Sequence, residues 1–240
     1  MAEPDAAPAL RRRVYGRSKG RPLRKQLTAL VETRLPELKL TLPPAGRPLD
    51  PAALFDSPRR ALWLEIGFGG GEHLAWQAAA NPAVGLIGAE VYLNGVATAV
   101  RAVTEAGLAN VRLHHGDARA LLDALPPGSL ERVFILFPDP WPKARHHKRR
   151  MVQDWSLARI ADLLVDGGEL RLATDDEPYL AWMLRHVAAR PEFQWLAERA
   201  DDWRIRAPDW PPTRYEQKAI AQGRKPSFLR YRRLPRQPVR

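Results

Sequence analysis

The chain has 240 residues, of which 45% are hydrophobic, and it carries a net charge of +11 and no cysteine. This length and composition are typical of one large globular domain with a full core. The lack of cysteine excludes disulfides and thiolate zinc sites and fits the cytoplasm. No apolar run approaches the roughly 20 residues of a membrane span, and the N-terminus lacks the pattern of a signal peptide.

The basic residues are concentrated in three segments. Residues 1–34, 139–150 and 204–240 together hold 25 of the 38 Lys and Arg residues but only six of the 27 Asp and Glu residues. The rest of the chain is therefore net acidic. A basic periphery around an acidic body favours a polyanionic partner, with nucleic acid as the first choice. A solubilising surface with a basic tail is the alternative interpretation.

The sequence pattern of the first 60 residues predicts little regular secondary structure. A segment rich in Pro, Ala, Gly and Arg over 1–22 precedes a predicted short helix within 24–40. Residues 41–60 hold five prolines, which predict a linker. We therefore divide the chain into a basic N-terminal arm with a short helix (1–40), a Pro-rich linker (41–60) and an α/β domain (61–235).

From residue 61 onward, apolar strands alternate with helices. The predicted strands span 61–66, 84–90, 111–115, 131–137 and 169–174. The predicted helices span 72–80, 93–106, 118–125 and 151–165, with a further helix after Pro178. A late antiparallel strand is predicted at 228–231. This alternation is typical of the α/β class, with a doubly wound, mostly parallel, Rossmann-like sheet covered by helices on both faces.

Acidic residues follow the strands of this predicted sheet. A carboxylate lies at or just after the end of each of the five parallel strands: Glu65, Glu90, Asp117, Asp139 and Asp175. In such a sheet, ligands bind beyond the carboxyl ends of the strands. Any single one of these side chains can instead cap the next helix, and that interpretation stays open for Asp117, for Asp175 and for the adjacent Asp176. Five together favour a binding site.

The turn after the first strand is rich in glycine, with Gly67, Gly69 and Gly71. Glycines allow a tight turn and a close approach of the backbone to a ligand. The dinucleotide-binding pattern needs a glycine at position 72, where this chain has Glu72, whose charge would repel a pyrophosphate. A cofactor with a ribose, no phosphate and a positive centre fits better. S-adenosylmethionine has these properties.

Two of the acidic residues fit this cofactor by their spacing. Glu90 lies 23 residues after Gly67, close to the roughly 20 residues expected for an acid that binds a ribose. Asp117 follows the next strand and can reach the adenine.

The most distinctive segment follows the fourth predicted strand. Residues 138–150 read Pro-Asp-Pro-Trp-Pro-Lys-Ala-Arg-His-His-Lys-Arg-Arg. Its three prolines stiffen the backbone around Asp139, and its basic side chains suit phosphates. His146 and His147 are adjacent and point in opposite directions if the segment is extended, so we expect no metal site here.

These motifs together resemble the bacterial tRNA (guanine-N7)-methyltransferases. The resemblance covers about residues 11–232 and rests on the segments 64–71, 88–90, 116–118, 137–150, 173–179 and 213–216. It implies a class I methyltransferase fold for residues 61–235, with S-adenosylmethionine as cofactor and tRNA as partner. The implied reaction is methylation of N7 of a guanine in the variable loop, at position 46.

The resemblance also implies roles for individual residues. The implied cofactor-binding residues are Glu65, Gly67, Gly69, Gly71, Glu90, Asp117 and Asp139. The implied contacts to the guanine nucleotide are Lys143, Asp175, Thr213, Arg214, Tyr215 and Glu216. The implied RNA contacts are Arg145, His146, His147, Lys148, Arg149 and Arg150.

The chemistry of guanine is consistent with this set. N7 has an in-plane lone pair, so it can attack a sulfonium methyl group without a strong base or a metal. We expect Asp139 to be the catalytic residue, because a carboxylate stabilises the positive charge that develops on the ring. A monomer and a homodimer are both compatible with the sequence.

Two other functions stay open from the sequence. An amino-group methyltransferase acting on DNA or another RNA would also place an Asp and an aromatic residue on a Pro-rich loop. Such enzymes carry two prolines between these residues, whereas here Pro140 alone separates Asp139 from Trp141. A non-catalytic RNA-binding protein with a retained cofactor fold is the third interpretation.

Overall fold

The computed structural model describes residues 16, 18, 20–44 and 46–237. Most of the basic segment predicted within 1–22 lies outside these residues.

The described residues form a sheet of seven strands. The strands are β1 (Ala61–Ile66), β2 (Val84–Glu90), β3 (Val111–His115), β4 (Leu130–Leu136), β5 (Leu164–Thr174), β6 (Phe193–Trp195) and β7 (Ser227–Arg233). Their order is β3-β2-β1-β4-β5-β7-β6. Strands β1 to β5 are parallel, and β7 is antiparallel to both β5 and β6. This architecture confirms the predicted doubly wound, mostly parallel sheet, and β7 contains the predicted late strand.

Helices connect the strands on both faces of the sheet. They are α1 (Lys25–Leu38), α2 (Glu72–Ala80), α3 (Leu93–Glu105), α4 (Ala118–Ala124), α5 (Asp154–Leu163), α6 (Glu177–Ala188), α7 (Asp201–Arg204) and α8 (Arg214–Ala221). Short 3₁₀ helices lie at Pro51–Leu54 and Ala144–Arg149. Within the described ranges, no helix combines the length and the apolarity that crossing a membrane requires.

The helix predicted at 151–165 is too long at both ends. In the structure α5 begins at Asp154, where the side chains of Gln153 and Ser156 form a reciprocal cap. It ends at Leu163 because the chain enters β5 at Leu164, which pairs with Leu130 of β4. The predicted stop signal at 166–168 therefore lies inside a strand that begins five residues before the predicted one. Strand β6 and helices α7 and α8 have no counterpart in the sequence prediction.

The core lies on both faces of the sheet because most side chains of its central strands are apolar. Neighbouring side chains point to opposite faces, so Trp63 and Phe134 pack in one cluster while Leu64 and Ile135 pack in the other. Each large side chain that is fully buried contributes about 1.5–3 kcal/mol. This packing fixes the carboxyl ends of β1 and β4 relative to each other.

The segment predicted as a linker, 41–60, packs on the α/β domain. Leu49 and Phe55 are buried in the core, and the Leu49 amide donates to the carbonyl oxygen of Ala124 at 2.7 Å. A Cβ atom on Gly85 of β2 would lie 2.5 Å from the Phe55 ring, so the two segments are in close contact. The predicted linker is thus an integral part of the packed domain.

Candidate active site

A cleft of about 480 Å³ opens at the carboxyl ends of β1, β2 and β4, where the strand order reverses. Its volume is within the roughly 300–1,000 Å³ of small-molecule sites. Many of the predicted site residues line it, namely Glu65, Gly67, Gly69, Glu90, Asp117, Asp139, Lys148, Arg149, Arg150, Thr213 and Tyr215. The others lie outside its lining, namely Gly71, Lys143, Arg145, His146, His147, Asp175, Arg214 and Glu216.

The glycine turn between β1 and α2 needs glycine for both conformation and space. Gly67, Gly69 and Gly71 have φ values of 75°, 55° and 78°, a left-handed backbone that other residues adopt with strain. A Cβ atom on Gly71 would lie 2.5 Å from the Cβ atom of Ala99 on α3. The turn is therefore held against α3 and presents its backbone to the cleft.

Glu90 at the end of β2 is held by three backbone amides. Its Oε2 accepts from Gly69 at 2.8 Å, and its Oε1 accepts from Val91 at 2.7 Å and Tyr92 at 2.9 Å. These bonds tie the carboxylate to the glycine turn on one side and to the start of α3 on the other. The side chain is half-buried, so its oxygens can still accept hydrogen bonds from hydroxyl groups of a ligand.

Asp117 has two functions in the structure. It caps α4 by accepting from the Arg119 amide at 3.0 Å, which confirms that it acts as a helix cap. It also lines the cleft and forms an ion pair with Arg119, whose Nε lies 2.8 Å from Oδ2.

Glu65 lies at the floor of the cleft and is paired with a residue that the sequence did not single out. The side chains of Glu65 and His73 are 4% and 2% exposed. Nδ1 of His73 lies 2.8 Å from Oε2 of Glu65. No Lys or Arg in the described part of the chain lies within ion-pair distance of this carboxylate, whose charged-group partner is His73 alone. The floor therefore suits a positively charged ligand group.

The loop after β4 departs from ordinary backbone geometry on both sides of Asp139. Phe137 and Trp141 have φ values of 50° and 46°. Bulky residues adopt such values at a cost of about 1–3 kcal/mol each, and such strain concentrates at functional sites. Trp141 is fixed in this loop, since the Arg149 guanidinium lies 4.9 Å from its ring centroid and the His146 ring contacts it edge-on at 5.9 Å.

The carboxylate of Asp139 lies at the cleft mouth, and no side chain among the described residues forms an ion pair with it. Asp139 reaches solvent there, yet the surrounding atoms displace enough water to raise the pKa of its carboxyl above the usual value. Desolvation is the whole cause of that shift, since no neighbouring charge or donor offsets it. The carboxylate is thus poised to interact with a ligand that carries positive charge.

The basic run that follows forms a 3₁₀ helix rather than an extended segment. Lys143, Arg145 and Lys148 are exposed. His146, His147 and Arg149 are half-buried, because their side chains contact Trp141 and Trp182. The exposed members form a cationic rim beside the cleft.

Arg150 does not belong to this exposed rim. It is only 2% exposed and lies beneath the proline-rich loop, where its Nε donates to the carbonyl oxygen of Pro140 at 2.8 Å. The sequence predicted an RNA contact for Arg150. The structure corrects that prediction, because the guanidinium is turned inward onto aromatic rings of α6.

Helix α8 borders the cleft through Tyr215 and its N-cap residue Thr213. Thr213 and Glu216 form a reciprocal cap at its start and are buried, and Arg206 donates to Glu216 at 2.9 Å. Tyr215 is 64% exposed. Its hydroxyl has a raised pKa, chiefly through desolvation and secondarily through the negative charge of Asp139.

Two predicted nucleotide contacts are engaged in ion pairs within the protein. Arg214 lies 2.9 Å from Glu72, and Asp175 pairs with Arg224. The role of these residues toward a nucleotide stays a prediction.

Comparison with known proteins identifies the family. A family model described as "Putative methyltransferase" matches residues 59–229. A tRNA (guanine-N(7)-)-methyltransferase of Rhodospirillum rubrum is 55% identical over 226 residues, which cover 93% of this chain and 89% of that protein. Its namesake from Paramagnetospirillum magneticum is 49% identical over 98% of both chains. The chain belongs to the tRNA (guanine-N7)-methyltransferase family.

Solved structures of other methyltransferases share the fold of this family member. The 16S rRNA methyltransferase KamB superposes with a TM-score of 0.51 at 13% identity, covering 74% of this chain and 90% of KamB. SMU.1697c is a putative methyltransferase from Streptococcus mutans that was solved in complex with SAH. It superposes with a TM-score of 0.50 at 9% identity, and the match covers 73% of this chain and 90% of SMU.1697c. These matches place the domain in the class I, Rossmann-like fold.

S-adenosylmethionine is the cofactor that this family implies, and the cleft fits it. A Cβ atom at Gly71 would be blocked by α3, so the turn must keep the open glycine backbone. The buried Glu65 suits the cationic part of the cofactor, while the amide-held Glu90 suits a ribose diol. Among the residues that the structure describes, no group of three or more His, Asp, Glu or Cys could hold a metal ion.

The sequence did not point to two residues that shape this site. His73 and Arg206 each bond to a predicted site residue, Glu65 and Glu216 respectively. His73 lies eight residues after Glu65, just beyond the glycine turn, and this spacing could have indicated their pairing. Arg206 gives no such signal, because it lies in irregular chain ten residues before its partner.

Proposed function

We propose that this protein transfers the methyl group of S-adenosylmethionine to N7 of a guanine in tRNA, at position 46 of the variable loop. The observation that carries the proposal is the placement of Asp139. It is a carboxylate with a raised pKa at the mouth of the cleft that Glu65, Glu90 and Asp117 line. The tRNA substrate follows from the names of relatives that are 49–55% identical over nearly the whole chain. A cytoplasmic location is part of the proposal, because tRNA is there.

Three acidic residues would hold the cofactor, with the glycine turn closing over it. We assign Glu90 to the ribose hydroxyls, Glu65 to the cationic end and Asp117 to the adenine. Glu90 needs no rearrangement for this task, since three amides already fix it. When bound, S-adenosylmethionine supplies an electrophilic methyl group on a sulfonium.

The protein then needs to orient the guanine rather than to remove a proton from it. N7 carries a lone pair and no proton at neutral pH, so catalysis consists of orientation and electrostatic stabilisation. We assign Asp139 to stabilise the positive charge that the ring gains, an interaction that is stronger in the transition state than in the ground state. The strained backbone at Phe137 and Trp141 supports this role, because such strain concentrates at functional sites.

We assign guanine recognition to Tyr215 and to five further residues that the sequence predicted. Tyr215 is exposed beside the glycine turn, where a Cβ atom on Gly69 would lie 3.6 Å from its ring. It can therefore stack on a base at the cleft mouth. Lys143, Asp175, Thr213, Arg214 and Glu216 complete the proposed contacts to the nucleotide.

The cationic rim is the proposed contact for the tRNA backbone. Arg145 and Lys148 are exposed, and phosphate contacts spread over a surface are how proteins hold a folded RNA. We propose that Arg149, His146 and His147 contribute from their half-buried positions. A monomer and a homodimer are both compatible with this arrangement.

The test of this function locates the methyl group. The protein is incubated with methyl-labelled S-adenosylmethionine and an unmodified tRNA transcript, and the modified nucleotide is mapped by mass spectrometry. We expect N7-methylguanosine at position 46 and no label in a transcript with adenosine at that position. Label on an exocyclic amine would favour an amino-group methyltransferase. Tight cofactor binding without any label would favour the non-catalytic RNA-binding protein.

A further inference from the structure

Arg150 is a buried cation without a carboxylate at ion-pair distance among the described residues. Its Nε donates to the carbonyl oxygen of Pro140 at 2.8 Å. Its guanidinium carbon lies 4.8 Å from the centroid of the Tyr179 ring and 4.7 Å from that of Trp182. Two aromatic faces and one backbone carbonyl thus contact this side chain, and they replace part of the water that it loses on burial.

The two aromatic residues that contact Arg150, Tyr179 and Trp182, are themselves held in place by other contacts. Both lie on α6, and the Trp182 indole donates to the carbonyl oxygen of Val152 at 2.7 Å. The Val152 amide donates to the Tyr179 hydroxyl at 3.3 Å. The His186 ring covers Trp182 at 4.1 Å between centroids. Helix α6 therefore supplies a rigid platform for the guanidinium.

The hydrogen bond to Pro140 acts on the loop that carries Asp139. Pro140 follows Asp139 directly. Phe137, two residues before Asp139, and Trp141, directly after Pro140, both have left-handed backbones. Such a conformation persists only where surrounding contacts hold it. The bond from Arg150 is a contact of this kind, because it joins the loop backbone to the platform on α6.

We infer that Arg150 is a positioning residue for methyl transfer, which clamps Pro140 to α6 and thereby fixes the carboxylate of Asp139 at the cleft mouth. This inference rests on the proposed function, since it concerns the same reaction. Arginine suits the task because its planar group can donate in its plane while it stacks on aromatic faces. Lysine keeps the charge and can donate a hydrogen bond, but it has no planar group to stack on the rings while it donates.

The test compares Arg150→Lys and Arg150→Met with Arg145→Gln, a substitution on the exposed rim. For each protein, the single-turnover rate constant is measured at saturating cofactor and tRNA, and tRNA affinity is measured over a range of salt concentrations. We expect both Arg150 variants to lose about 10–100-fold in the single-turnover rate constant, because a small displacement of a catalytic group has effects of this size. Their salt slope for tRNA binding should equal that of the wild type, whereas Arg145→Gln flattens the slope by about 0.7–0.9.

Two results would overturn the inference. One is a wild-type rate constant in a folded Arg150 variant, and the other is a flattened salt slope, which would make Arg150 an RNA contact. If Arg150→Met unfolds at the assay temperature, Arg150→Lys decides, because it retains the buried charge. Failure of the wild type to form N7-methylguanosine would contradict the proposed function itself, whereas an active wild type with equally active variants would contradict only this inference.

Discussion

The imidazole of His73 and the carboxylate of Glu65 form a buried hydrogen bond with 2.8 Å between Nδ1 and Oε2. The other ring nitrogen of His73 lies 3.2 Å from Nε2 of Gln77, which also donates to the carbonyl oxygen of Asp209 at 2.9 Å. Because an amide nitrogen only donates, Nε2 of His73 accepts and the ring proton lies on Nδ1. His73 is therefore a neutral donor, and the pair leaves one negative charge on the cleft floor.

Replacing His73 by leucine should weaken binding of S-adenosylmethionine by roughly 1.5–3 kcal/mol, the contribution of a hydrogen bond to a charged group. His73→Asn is the matched control, since its amide nitrogen lies where Nδ1 does and can donate to Glu65. Calorimetric titration should find near-normal affinity for His73→Asn. Equal affinity in the leucine variant and the wild type would show that the bond does not position Glu65.

Glu90→Ala should weaken cofactor binding by about 1.5–3 kcal/mol, because the ribose loses charged hydrogen bonds. The three amides that donate to Glu90 would also lose their partner. Affinity for tRNA measured without cofactor should change little. If a titration finds unaltered cofactor affinity, the ribose does not bind at the end of β2.

The raised pKa of Asp139 predicts how the reaction depends on pH. The ionised form is the useful one, so the single-turnover rate should fall as the pH drops through a value above the ~3.9 of an exposed Asp. The Asp139→Asn variant should have a low single-turnover rate that does not fall further as the pH drops through this range. A normal rate for Asp139→Asn would rule out electrostatic stabilisation by this side chain.

The same shift predicts a change in stability. The folded pKa of Asp139 exceeds the unfolded value, so the native state binds the proton more readily, and stability falls as the pH rises from the unfolded pKa through the folded pKa. Asp139→Asn should therefore raise the unfolding temperature at neutral pH and have a smaller effect near pH ~4. A larger rise in unfolding temperature near pH ~4 than at neutral pH would contradict the raised pKa of Asp139.

The double substitution of Arg145 and Lys148 by glutamine should weaken tRNA binding. It should also flatten the salt slope by roughly 0.7–0.9 for each phosphate that the protein no longer neutralises. Arg60→Gln is a suitable control, because Arg60 is exposed just before β1, at the end of the strand opposite the cleft. Binding should be measured with and without cofactor. An unchanged slope in the double variant would place the RNA on another basic surface, such as the C-terminal segment.

The alternation of strands and helices predicted the sheet because each of the strands β1 to β4 is a short local segment rich in Val, Leu or Ile. The carboxylates of the site could also be predicted, because each lies at or just after the end of a predicted strand. In a parallel sheet, these strand ends meet at one edge. Arg150 could not be placed correctly, because its burial depends on Tyr179 and Trp182, which lie about 30 residues further along the chain. The start of β5 at Leu164 likewise depends on pairing with β4 rather than on local sequence.

The most direct test of methylation at N7 uses a tRNA that carries 7-deazaguanosine at position 46, which keeps the amino group and the carbonyl of guanine but has a carbon in place of N7. We predict that this tRNA binds with near-normal affinity and accepts no methyl group, while the tRNA with guanosine at that position is fully methylated. Methyl transfer to the 7-deazaguanosine tRNA at the normal rate would contradict methylation at N7, because the acceptor would then be another atom.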